Sequence, residues 1–169
     1  MCSRKRILLV FFGILVLAAC VYYFTCYRDL VLVVRPTNME PSIKSGAIIK
    51  AYRRKINIQR GNIVVYDHDG AYFTSRVIGL PGERVAIFEK GVIIGDNMIS
   101  YENLPKIAEI KKSSGFSGIV TIDSKCYWQL AKDEYFLIGD NYKNSYDSRN
   151  FGPIKKKKVI GIVKEIINS

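Results

Sequence analysis

Two patterns of hydrophobic and polar positions divide the chain. From Ile7 to Tyr27 no charged residue interrupts an apolar run. At ~1.5 Å per residue a helix over it extends about 30 Å, the thickness of a bilayer's hydrocarbon core. Arg4, Lys5 and Arg6 precede the run, Tyr22, Tyr23 and Tyr27 sit near its far end, and Arg28 and Asp29 close it. This predicts one transmembrane anchor over 7–27, in contact with membrane lipid. Residues 1–6 lie in the cytoplasm and 28–169 outside the cytoplasmic membrane. Past Arg28 the period shortens to strands: Leu30–Val34, Ala47–Ala51, Ile63–Tyr66, Ala71–Ile78, Arg84–Phe88, Val92–Ile94, Tyr135–Ile138 and Val159–Ile167. Gly, Pro, Asn and Asp punctuate them, and no stretch carries a sustained helical period. The prediction is an all-β, antiparallel sandwich or barrel. Glu102 to Lys125, polar and rich in Lys, Ser and Gly, reads as a small inserted cap.

Two other readings of the N-terminus bear on the anchor. The apolar run is too long for a cleaved signal peptide and lacks a small-x-small exit. Leu17-Ala18-Ala19-Cys20 resembles a bacterial lipobox with Cys20 as the lipidated residue, although Val21 to Phe24 continue the apolar run where lipoproteins turn polar. Either way the same segment is tethered outside the membrane.

Charge and cysteines narrow the chemistry. Lys and Arg number 26 against 15 Asp and Glu, but no nucleic-acid reading motif accompanies that balance, so nucleic acid is not a predicted partner. Lys155–Lys158 reads as a solvated face. Cys2, Cys20 and Cys26 lie in or beside the apolar run and Cys126 stands alone beyond it. With one His and no C-x-x-C spacing, neither a zinc site nor a disulfide scaffold is predicted, and nothing implies another cofactor.

The stretch Arg35-Pro36-Thr37-Asn38-Met39-Glu40-Pro41-Ser42 turns through two prolines at the end of the first strand, a fixed polar loop of the kind that carries chemistry. It resembles the nucleophile box of type I signal peptidases, Ser-Met-x-Pro-Thr/Ser, with Met39, Pro41 and Ser42 matching. Four more stretches follow in the family's order. Arg60-Gly61-Asn62-Ile63-Val64-Val65-Tyr66 is similar to Arg-Gly-Asp-Ile-Val-Val-Phe, and Arg76-Val77-Ile78-Gly79-Leu80-Pro81-Gly82-Glu83 to Lys-Arg-Val-Ile-Gly-Leu-Pro-Gly-Asp. Gly91 to Asn97 resembles the hairpin after it. Gly139 to Pro153 resembles the last box, Gly-Asp-Asn-x-x-x-Ser-x-Asp-Ser-Arg-x-Phe/Tyr-Gly-x. By these matches the chain is identified as a member of the type I signal peptidase family.

The resemblance implies a mechanism that the residues do not supply. In the family a Ser hydroxyl attacks the scissile carbonyl and a neutral Lys amine takes its proton. Asn38 stands in the nucleophile's place and Ser75 in the lysine's; an amide is no nucleophile and a serine hydroxyl no base near neutral pH. Pro36, at the position of a further oxyanion donor, has no N–H. Arg76 is present but stays protonated. The supporting positions remain: Ser145 matches the serine that hydrogen-bonds the catalytic lysine, and Asp147 and Arg149 match a bracing ion pair. Gly139 and Gly152 sit where tight turns are needed. Thr37 is a candidate displaced nucleophile. His68 is a candidate base, although Asp67-His68-Asp69-Gly70 reads better as an exposed hairpin turn.

Two function classes follow. One is a non-catalytic factor that binds extended segments of exported or surface proteins by strand pairing. Family members that lack the dyad and sit with surface-pilus genes are thought to assist pilus assembly. The other is an active signal peptidase that cuts small-x-small sites with unorthodox residues.

Overall fold

The computed structural model describes residues 2–27, 29–53, 56–88, 90–95, 97–109 and 126–167. A single helix, α1 (Cys2–Tyr27), opens the chain, and its Leu9, Phe11, Phe12, Leu15 and Leu17 side chains are exposed. The α1 side chains described run from Leu9 to Tyr23, about 22 Å of helix at 1.5 Å per residue. Among the described residues no helix is long and apolar enough to cross a membrane.

Among the described residues eleven strands follow: β1 (Leu30–Val33), β2 (Ile48–Tyr52), β3 (Ile63–His68), β4 (Ala71–Gly79), β5 (Arg84–Ile87), β6 (Gly91–Ile94), β7 (Asn97–Ser100), β8 (Cys126–Gln129), β9 (Glu134–Ile138), β10 (Ile154–Lys155) and β11 (Val159–Ile167). They form two open antiparallel sheets, one of seven strands in the order β1-β2-β11-β3-β4-β9-β10 and one of four in the order β7-β6-β5-β8. The barrel alternative is thereby corrected: each sheet keeps two edges. Closing the larger one requires β1 to meet β10, and among the described residues the two-residue β10 pairs only with β9.

The middle strands explain why the apolar runs do not simply alternate. On β3, Val64 and Tyr66 face one core and Val65 the other; on β4, Val77 faces one and Ile78 another. Side chains alternate across a strand, so a run buried on both faces reads as continuous hydrophobicity. The small sheet packs Val85, Val92, Ile94 and Ile99 against Ile78, Phe136 and Ile138. Contact is close at Gly79, where a Cβ would stand 2.7 Å from Val85 Cγ2 and 2.9 Å from Phe136 Cβ.

The β3–β4 hairpin turns through Asp69 and Gly70, both at positive φ, with Asp67 Oδ1 accepting from the Gly70 N–H at 3.0 Å. The expected cap, Glu102 to Lys125, is described only at its start. Its start lies in a 3₁₀ helix, Tyr101–Glu109, whose Leu104 is fully buried between the sheets, so this stretch contributes to the core. The rest of the expected cap, 110–125, lies outside the described residues. A four-residue helix, α2 (Ser148–Phe151), capped by Asp147, completes the elements.

Candidate active-site cleft

The loop after β1 is held rigidly before any chemistry is considered. Val34 N–H donates to Ala47 O and Gly46 N–H to Val34 O, closing its base, while Ser45 Oγ donates to Arg35 O. Met39 and Ile43 are fully buried beneath it, so Met39 is a core anchor. Pro41 follows a cis peptide bond and is exposed. A second loop, after β9, meets the first: Asn141 N–H donates to Asn38 O at 3.0 Å, and Asn141 Nδ2 to Thr37 O at 3.1 Å.

Asn38 is only 8 % exposed. Its Nδ2 donates to Thr74 O at 2.6 Å, and Ser75 Oγ donates to the same carbonyl at 2.7 Å. The residues in the nucleophile and base places thus converge on one acceptor of β4. Ser75 is fully buried and lies 3.2 Å from the Tyr66 hydroxyl. Tyr66 occupies the place of the family's strand Phe, so the two departures from the family pattern touch each other. Burial pushes the Tyr66 phenol up to about 12, and its proton is retained at neutral pH.

Two buried polar atoms near this point have no partner among the described residues, Asn38 Oδ1 and Ser145 Oγ. Ser145 therefore does not make the supporting hydrogen bond that the family's serine makes to its lysine. Gly139 lies directly beneath both residues: a Cβ there would stand 2.2 Å from Ser145 Oγ and 2.5 Å from Asn38 O.

Behind this centre the polar groups are paired, apart from Arg60 Nε, which is buried without a partner among the described residues. Arg76 grips Asp140 through Nε and Nη2 at 2.7 and 2.6 Å, and donates to Gly61 O and, more weakly, to Ser42 Oγ. Arg149 grips Asp147 through Nε and Nη2, each at 2.8 Å, donates to Tyr142 O and lies over the Tyr101 ring. Asp147 also accepts from the N–H groups of Gly139 and Arg149. Burial opposes the Arg149 charge, but the hydrogen bond and charge of Asp147 outweigh it and the guanidinium pKa is raised. A third buried pair, Arg60–Glu83, fixes the Pro81–Gly82 turn through the Leu80 N–H.

These elements bound an open cleft of about 490 Å³. Pro36, Thr37 and Asn38 form one wall, Lys143 to Tyr146 the other, and Phe73 of β4 contributes an apolar surface. Of the residues singled out in the sequence, Pro36, Thr37, Asn38 and Ser145 meet in the cleft. Ser75 lies behind Asn38, while Arg76, Asp147 and Arg149 brace from below. Thr37 Oγ1 accepts from Asn144 Nδ2 at 3.3 Å. His68 is not the fully exposed turn residue expected, because its ring stacks on Phe151 at 4.0 Å; that aromatic group extends through Tyr146 to the cleft mouth. Asp140, Tyr66, Phe73, Lys143 and Tyr146 were not singled out. Asp140 and Lys143 lie inside the last matched box, which was their only signal. Among the described residues no group of three His, Cys, Asp or Glu side chains is placed to hold a metal ion.

The chain is similar to several known proteins. A signal peptidase I V of Bacillus subtilis is 28 % identical over 78 % of this chain and 82 % of its own length. A signal peptidase I U of the same organism is 29 % identical over 94 % and 86 %. A crystal structure of a signal peptidase I from Enterococcus faecalis V583 is 28 % identical, covering 64 % of this chain and 98 % of its own, with a TM-score of 0.46. The family profile described as signal peptidase, peptidase S26, matches residues 4–167, and the chain belongs to that family.

Proposed function

We propose that the protein is a membrane-anchored, non-catalytic member of the signal peptidase family that binds extended segments of exported or surface proteins. The observation that carries this reading is the shared acceptor: Asn38 Nδ2 and Ser75 Oγ both donate to Thr74 O. Attack on a carbonyl requires a nucleophilic oxygen and a base to take its proton, and at this point there are two donors and no amine. Losing both members of such a pair costs about a million-fold in turnover. The cleft and its two ion-pair braces remain, which suits holding a strand more than cutting it. An accessory role in assembling surface structures such as pili accords with this reading. The uncharged run Ile7–Tyr27, flanked by Arg4–Arg6 and by Arg28, supplies a single-pass anchor with the N-terminus inside.

The test is mass spectrometry of a secretory precursor with an Ala-x-Ala site after incubation with the detergent-solubilised protein, beside an active relative. The precursor stays intact while the relative cuts it; a clean cut at the expected bond overturns the proposal. One observation favours a second reading, that of an active peptidase: the Thr37 hydroxyl and the Lys143 side chain share the cleft. Lys143 is exposed, and burial is what makes a lysine a general base. If cleavage occurs, its loss in both Thr37→Val and Lys143→Met identifies that pair.

A further inference from the structure

We propose that the cleft selects segments that carry a carboxylate, received by Lys143 and the amide group of Asn144 beside it. This rests on the reading of the cleft as a peptide-binding site. Lys143 is the one Lys, Arg, Asp or Glu lining the cleft, and among the described residues it forms no salt bridge. Its ammonium lies over the Tyr142 ring, 5.8 Å from the centroid, which leaves the three N–H donors available. The carboxylates in reach are already committed, Asp140 to Arg76 and Asp147 to Arg149. The local field is therefore positive, and the chain's net charge of +11 reinforces it over longer range.

The next residue adds a donor of matching chemistry. Asn144 Nδ2 spends one N–H on Thr37 Oγ1 and keeps the other. Ser145 Oγ is buried, so it stays out of reach of a bound segment. Two consecutive residues thus present an ammonium and an amide N–H on one wall. Opposite them, Pro36 and Phe73 offer apolar surface for a small side chain. Charge-assisted hydrogen bonds to a carboxylate are roughly twice as strong as neutral ones, so an anionic group gains more here than an amide of the same shape.

The carboxylate has two sources in a peptide, an acidic side chain or a free C-terminus, and binding measurements separate them. Fluorescent peptides of alternating small residues are titrated into the full-length protein in detergent. One pair, capped at both ends, differs by Asp against Asn; the other differs by a free against an amidated C-terminus. At low salt the carboxylate member of one pair or both binds about tenfold tighter, and the gap closes at high salt as screening shortens to about 3 Å. Lys143→Met removes the preference and Lys143→Glu reverses it, with unchanged thermal unfolding showing that both variants are folded. Equal affinity within both pairs, with measurable binding, overturns the carboxylate preference and leaves the peptide-binding reading intact. No binding of any peptide to the folded protein overturns both.

Discussion

The brace and the reacting centre of this cleft lie a few residues apart and are finished very differently. In the brace, Arg76–Asp140 and Asp147–Arg149 are two-pronged pairs whose remaining donors reach backbone carbonyls. In the centre, Asn38 Oδ1 and Ser145 Oγ are buried without partners, and two side chains crowd one carbonyl. Unsatisfied buried polar atoms are rare in folded proteins because each costs the desolvation it does not recover. The difference teaches that the shape of a catalytic cleft and its reactivity are carried by separable residues. Here the shape is held by bonds that do not depend on the reacting atoms.

The largest expected effect comes from supplying what the centre lacks. Asn38→Ser with Ser75→Lys restores nucleophile and base, but the lysine meets the Tyr66 hydroxyl, which now lies 3.2 Å from Ser75 Oγ. Adding Tyr66→Phe removes that oxygen. The triple variant gains cleavage of an Ala-x-Ala precursor by at least about 10³-fold over the parent and exceeds the double variant. A folded triple variant that cuts nothing shows that the cleft itself has diverged.

Next comes breaking the brace. Asp147→Ala strands the partly buried Arg149 charge and two backbone N–H donors and costs about 3–5 kcal/mol. Denaturant unfolding followed by the fluorescence of Trp128, the sole tryptophan and packed on Phe136 between the sheets, reads this directly. A cost below about 1 kcal/mol refutes the bracing role.

A smaller effect is set by pH. The Tyr66 phenol is raised from 10.0 to about 12, so the folded state holds a proton that the unfolded chain releases first. Its contribution is fully present below pH 10 and is lost as pH rises toward about 12, amounting to at most about 3 kcal/mol. Tyr66→Phe flattens this alkaline loss, and an unchanged slope contradicts the assignment. The smallest effect belongs to Asn38→Ala. It removes the bond to Thr74 O but also the unpartnered Oδ1, for a net cost of about 1 kcal/mol. A loss rivalling that of Asp147→Ala would erase the contrast between the two regions.

Most strands were readable as elements because runs such as β3, β4 and β9, buried on both faces, are rich in β-branched and aromatic residues. The strands β7, β8 and β10 escaped because they are short, and Asn97–Ser100 owes its place to register with β6 rather than to its own composition. Open sheets and a closed barrel have the same strand pattern in sequence; pairing at the edges decides between them. In the cleft, Asn38 and Ser75 stood out because a motif surrounded each. The contact between Tyr66 and Ser75 joins strands whose pairing register no local pattern specifies, and Lys143 looks like any exposed lysine until the loop is folded against Thr37.

Gly139 deserves to be seen as a spacer. Grooves are commonly widened by trimming a wall, yet the separation of these two walls is set from below, by an atom that is absent. A methyl group at 139 would overlap Ser145 Oγ and the Asn38 carbonyl, and neither loop has slack, since Asn141 ties them together. The smallest possible addition to the chain would therefore act as a wedge. The gauge of the groove, and with it the size of the segment it admits, is fixed by one missing carbon.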